Sequence, residues 1–136
     1  MSYLLIVDDD LDDCLLVEEA WKETGLPVAS QCTHNGQSLL QTLSSQNHPA
    51  LILLDLNMPV MNGKEALQAL KANQGTQGIP VVVLSTSQRE EDIREVYELG
   101  ASGFIHKPSS YQAFLSLMES LGHYWFKTIT LPSENS

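Results

Sequence analysis

Five short apolar runs recur along the chain, and each is followed by a stretch whose apolar positions fall three and four residues apart. Tyr3–Val7 precedes Leu11, Cys14, Leu15 and Trp21; the weaker, alternating run Val28–Thr33 precedes Leu39, Leu40 and Leu43. Leu51–Leu54 precedes Ala66, Leu67 and Leu70, and Val81–Leu84 precedes Ile93, Val96, Tyr97 and Leu99. The last and shortest, Gly103–His106, precedes Tyr111, Phe114, Leu115, Met118 and Leu121. Runs that are apolar at every position bury both faces, as central parallel strands do, whereas the 3–4 spacing puts apolar side chains on one face of a helix. Strand followed by helix five times predicts βα units with right-handed crossovers. The fold class expected is α/β, a doubly wound five-stranded parallel sheet with helices on both faces.

The punctuation agrees. Pro27, Pro49 and Pro80 lie at or just before strand starts, where a missing N–H does least harm. Gly25 and Gly100 follow helical stretches and suit positions that need a positive φ. With 136 residues, 43% of them hydrophobic and 18% charged, the chain suits a single folded domain. A net charge of −10 argues against nucleic acid as a partner, since phosphate contacts need clustered Lys and Arg. No apolar run approaches the ~20 residues of a membrane helix, and no basic segment leads into an apolar one at the N-terminus. A soluble, cytoplasmic protein with no membrane partner is expected. Cys14 and Cys32 have no CxxC spacing and read as reduced core thiols rather than a disulfide. The four histidines (His34, His48, His106, His123) show no metal-ligand spacing, and Trp21 reads as packing.

In an open α/β sheet, sites form outside the carboxyl ends of the strands. Strand one ends in Asp8, Asp9 and Asp10; strand three in Asp55, with Asn57 two residues on; strand four in Ser85, Thr86 and Ser87; strand five in Lys107-Pro108. Taken singly, each has a plain structural use as a helix cap or turn residue. Together they place acids, hydroxyls and one ammonium on a single rim. Converging carboxylates repel unless a cation neutralises them, and a hard divalent ion such as Mg²⁺ suits oxygen donors. The ammonium and hydroxyl opposite suit a phosphoryl group, with its additional oxygens.

The segments LLIVDDD, LILLDLNMPVMNG, VVVLSTS and GASGFIHKPSS, with Asp55 30 residues before Ser85 and 52 before Lys107, resemble the receiver domain of two-component response regulators over about residues 2–122. The resemblance implies a flavodoxin-like receiver fold and a signalling phosphoacceptor, not an enzyme beyond self-phosphorylation and slow autodephosphorylation. It implies that Asp55 accepts a phosphoryl group from a histidine kinase or a small phosphodonor, with Ser85 and Lys107 receiving its oxygens. Mg²⁺ would be held by the Asp9 and Asp55 carboxylates, the Asn57 backbone carbonyl and, through water, Asp8. Ser85 and Phe104 would form the switch pair, and a cis peptide would follow Lys107. Phe104 stands where Tyr is commoner, so its coupling to the surface would rest on packing without a hydroxyl. Asp10 has no role in that set and reads as a helix-start charge.

Beyond a receiver domain at residues 1–122, a C-terminal extension at residues 123–136 carries Tyr124-Trp125-Phe126 and ends in a polar segment after Leu131 that reads as disordered. Three consecutive aromatics are costly to leave in water, so they either fold back or contact a second subunit. A homodimer through helix four, strand five, helix five and these aromatics is the expected association. The YW…LP segment also resembles the small receiver proteins that partner cyanobacterial phytochromes, which would make the input kinase a light sensor. Two other classes compete. A haloacid-dehalogenase-type enzyme also uses a strand-end Asp and Mg²⁺, but has an acid two residues on, where this chain has Asn57. A phosphorylation-independent binding module would have no use for the full set of Asp8, Asp9, Asp55, Ser85 and Lys107.

Overall fold

The computed structural model describes residues 3–43, 48–58 and 61–130. Strands and helices alternate in order: β1 (Tyr3–Val7), α1 (Leu11–Glu23), β2 (Ala29–Thr33), α2 (Gly36–Leu43), β3 (Leu51–Asp55), α3 (Gly63–Ala72), β4 (Val81–Ser85), α4 (Glu90–Glu98), β5 (Gly103–His106) and α5 (Tyr111–His123). A single turn of π-helix, Tyr124–Thr128, continues α5. The five strands pair in parallel in the order β2-β1-β3-β4-β5. β1, β3 and β4 are buried at every residue, which is why their sequences are apolar throughout. β2 lies at an edge and alternates between exposed and more buried positions.

The two faces have separate cores. Leu4, Ile6, Leu51, Leu53, Val82 and Leu84 point toward α1 and α5, meeting Val17, Trp21, Phe114 and Met118. Leu5, Val7, Ile52, Leu54, Val81 and Val83 point the other way, toward Leu39 of α2, Leu67 and Leu70 of α3 and Val96 of α4. Odd and even residues of each strand thus serve different helices. Trp21, only 2% exposed, packs as expected, and its indole N–H donates to the Val28 carbonyl at 2.7 Å. Gly25 and Gly100 follow the C-caps of α1 and α4 at φ +73° and +106°.

Two expectations fail. Cys14 and Cys32 are not free thiols: the structure joins them in a disulfide between α1 and β2, with Cα atoms 6.4 Å apart. Periodicity put each on an inward face of its own element, but could not say that those faces meet; the wrap of α1 over the edge strand decides it. The peptide between Lys107 and Pro108 is trans, as is every other among the described residues. The trans preference of an X–Pro bond is only about 0.5–1 kcal/mol, so local context selects the isomer.

At the C-terminal end, the Ile129 amide donates to the Tyr124 carbonyl five residues back. The wider turn lays the Phe126 ring edge-on against Trp21, 5.6 Å between centroids, and Trp125 and Phe126 are partly buried on the α1–α5 face. Tyr124 remains 51% exposed. The segment after Leu131 expected to be disordered lies outside the described residues. Among the described residues no helix is long and apolar enough to cross a membrane.

Candidate functional site

The sheet order reverses direction at β1, between β1–α1–β2 on one side and β3 onward on the other, and such a switch point opens a crevice at the strands' carboxyl ends. Asp8 follows β1 there and Asp55 ends β3. Both are buried, at 4% and 8% exposure, while Asp9 is exposed. One carboxylate oxygen from each of Asp8, Asp9 and Asp55 can be chosen so that all three lie within 4.8 Å of one another. The rim expected from the sequence therefore brings its acids together.

Local structure holds this loop. The Asp8 amide donates to the Thr33 carbonyl at 3.0 Å, and its carboxylate accepts the Asp10 amide at 3.0 Å. Asp10 caps α1, accepting from the amides of Asp12 and Asp13. Its helix-start role is as expected. On the β3 side, the Asn57 amide approaches an Asp55 carboxylate oxygen at 3.4 Å, and the Asn57 side chain is exposed. The chain returns to α3 through Gly63, whose amide donates to the Leu56 carbonyl at 2.8 Å. A Cβ on Gly63 would stand 2.6 Å from both the Asp55 carbonyl oxygen and the Leu56 Cα. Only glycine permits that approach.

Lys107 reaches into the acids from the end of β5. Its ammonium lies 2.6 Å from Asp8, 2.8 Å from Asp13 and 4.0 Å from Asp55. Burial disfavours that charge, but hydrogen bonds to Asp13 and Asp8 and the Asp55 carboxylate outweigh it, and the pKa of Lys107 rises. For Asp55, burial first and Asp8 next push the pKa up to about 7, against the pull of Lys107. One ammonium does not balance this set of carboxylates. An all-oxygen donor set with two of its three carboxylates buried suits a hard divalent cation.

Asp13 was not singled out from the sequence. It lies one turn into α1 from Asp9, on the side facing β5, so helical spacing could have nominated it once the last strand was placed. Ser85 is fully buried beside Asp55, one position beyond the Asp55–Leu84 pair of the β3–β4 register. Its hydroxyl accepts the Ser87 amide at 3.0 Å, and its carbonyl accepts the Lys107 amide at 2.8 Å. The Ser87 hydroxyl donates to Asp92 at 2.6 Å, and Asp92 and Glu95 each lie 2.8 Å from the Lys64 ammonium. A continuous polar chain thus runs from Ser85 to α3 and α4. Phe104 lies apart from the acids on β5, partly buried against the α2–α4 core, and its amide donates to the Tyr97 hydroxyl at 3.2 Å. His106, beside Lys107, is exposed and meets the Gln88 amide at 3.4 Å.

Known proteins resemble this chain in sequence and fold. The chain is 32% identical to the response regulator Rcp1 of a Synechocystis species over 136 aligned positions, 96% of this chain and 92% of Rcp1. The crystal structure of the phosphorylated cyanobacterial phytochrome response regulator RcpA superposes with a TM-score of 0.90 at 32% identity, over 97% of this chain and 99% of that one. The Mn²⁺-bound form of Rcp1 superposes with a TM-score of 0.87 at 31% identity, over 98% and 100% of the two chains. The response regulator receiver domain family matches residues 4–119. With the parallel sheet, the acid crevice and Lys107 opposite it, this chain belongs to the response regulator receiver domain family and is related to the phytochrome response regulators of cyanobacteria.

Proposed function

We propose that the chain is a cytoplasmic phosphorylation switch in a two-component relay, in which Asp55 accepts a phosphoryl group from the phosphohistidine of a histidine kinase. The observation that carries this is the setting of Asp55. It is a buried carboxylate at a strand end, packed with Asp8 and Asp9 and faced by the Lys107 ammonium. An Asp55 oxygen attacks phosphorus while the bond to the donor imidazole nitrogen breaks. The carboxylate's negative charge makes it the nucleophile, so it must be deprotonated to act. Asp8, Asp9 and Asp55, with the Asn57 backbone carbonyl, would hold Mg²⁺, which when bound supplies positive charge to the carboxylates and to the phosphoryl oxygens. Lys107, oriented by Asp8 and Asp13, pairs with another phosphoryl oxygen.

Readout follows from what Ser85 now does. Turning its hydroxyl toward a phosphoryl oxygen releases the Ser87 amide, and the Ser87–Asp92–Lys64 chain passes that change to α4. Phe104 follows by packing. Residues 1–122 form the receiver domain and residues 123–136 an extension. Leu11 and Leu15 on α1, each 60% exposed beside the acid rim, suit a docked kinase, and a phytochrome-type sensor is the input the relatives favour. Tyr97 and Tyr124, 49% and 51% exposed, suit a homodimer through α4, β5, α5 and the C-terminal aromatics.

The test is incubation with Mg²⁺ and acetyl phosphate. The expected outcome is a mass gain of one phosphoryl group that maps to Asp55 and is absent from Asp55→Asn. No gain in the intact protein, or the same gain in the variant, overturns the reading. Beryllofluoride should shift tryptophan fluorescence only in the protein that retains Asp55.

A further inference from the structure

The Cys14–Cys32 disulfide lies on the other side of the acid loop from Lys107. The Cys14 sulfur is 3.5 Å from the Asp8 carbonyl oxygen and 3.9 Å from His34 Nδ1. Cys32 directly precedes Thr33, whose carbonyl holds the Asp8 amide. The two ends of the cross-link thus flank Asp8, Cys14 in contact with its carbonyl and Cys32 next to the residue that holds its amide. Asp13, which holds Lys107, is the residue before Cys14. A Cα separation of 6.4 Å lies within the range a disulfide spans, so the pair can close on this backbone. Cys14 is buried, whereas Cys32, on the edge strand, is only partly buried and is the more accessible residue of the two.

We propose that Cys14 and Cys32 form a reversible dithiol–disulfide site whose oxidation clamps the Asp8–Asp9 loop and tightens its hold on a divalent cation. The second half of this statement rests on the metal-binding reading given above. The oxidant is a low-molecular-weight disulfide of the glutathione class. The Cys32 thiolate attacks one sulfur of that disulfide, forming a mixed disulfide and releasing one thiol. The Cys14 sulfur then attacks the Cys32 sulfur, releasing the second thiol, and its proton leaves by way of the adjacent His34 imidazole. Two protein thiols and one small disulfide become one protein disulfide and two small thiols. Reduction restores a Cys14 S–H that can donate to the Asp8 carbonyl, a weak bond in place of a covalent tie.

Fully reduced protein titrated with mixtures of reduced and oxidised glutathione, then alkylated and weighed, should pass from two alkylated cysteines to none across the series. Mixed disulfide trapped early should map to Cys32. In Cys32→Ser no intramolecular bond should form, and Cys14 should react slowly. Mn²⁺ affinity, measured on the full chain in both states, should be at least about fivefold tighter when oxidised, the gain expected from ordering one loop residue beforehand. Cys32→Ser should bind as the reduced protein does under either condition. Cysteines that stay alkylatable throughout, or reduced protein that takes up one zinc ion and then resists oxidation, overturn the redox site. Equal Mn²⁺ affinity in the two states overturns the clamp alone. An absence of Mn²⁺ binding in both states overturns the clamp and the metal-binding reading together, while the redox site stands on the alkylation result.

Discussion

Asp55 is held at odds with its own charge. In the unfolded chain its carboxyl loses its proton near pH 3.8, whereas in the fold burial and Asp8 delay that to about pH 7. Between those values the folded state keeps a proton that the unfolded state has lost, so stability of the metal-free protein falls as pH rises through this window. Asp55→Asn, neutral throughout, should be more stable than the parent at pH 8 by about 1–3 kcal/mol, the gain fading toward pH 4. Thermal melts across that range check it, and added Mg²⁺ should narrow the difference by stabilising only the parent. The strand-end position of Asp55 was legible in the sequence. Its shifted pKa was not, because burial and the approach of Asp8 depend on how two strands far apart in sequence are paired.

Among the elements, the β3–α3 connection and the C-terminal turn carry the sharpest constraints. Gly63→Ala would drive a Cβ into the backbone of Asp55 and Leu56, which cannot yield without moving the site. A loss of about 2–4 kcal/mol is expected in urea unfolding, against about 1 kcal/mol for Asn62→Ala, which removes only the cap of α3. In the sequence Gly63 was part of a family-like segment; the reason for it lies in the distance across the turn. Phe126 tells a similar story. Cost in water said that the three aromatics needed cover, and the structure gives Trp125 and Phe126 cover on their own domain, leaving Tyr124 outside. Phe126→Ala should cost about 1–3 kcal/mol, and loss of its contact with Trp21 should raise the accessibility of Trp21 to quenchers.

For the molecule as a whole, self-association and the −10 charge meet at one question. Like charges oppose a dimer, so a homodimer must offset that repulsion with apolar area, and Tyr97 and Tyr124 are the exposed candidates. Sedimentation of a chain truncated after Gly122 should show weaker association than the full chain, and both should associate less at low salt, where repulsion is least screened. Equal behaviour would leave Phe126 and Trp125 as internal packing alone.

Periodicity was enough for the five βα units because buried strands and amphipathic helices leave different spacings in any chain that folds this way. The strand-end positions then put Asp8, Asp9, Asp55, Ser85 and Lys107 on one rim, a consequence of parallel strands all pointing their carboxyl ends the same way. Lateral relations were decided only by packing. The Cys14–Cys32 tie, the Asp13–Lys107 pair and the Phe126–Trp21 contact each join residues on different elements. Local spacing records which face a side chain occupies, but the element it meets there is set by how helices settle across a twisted sheet.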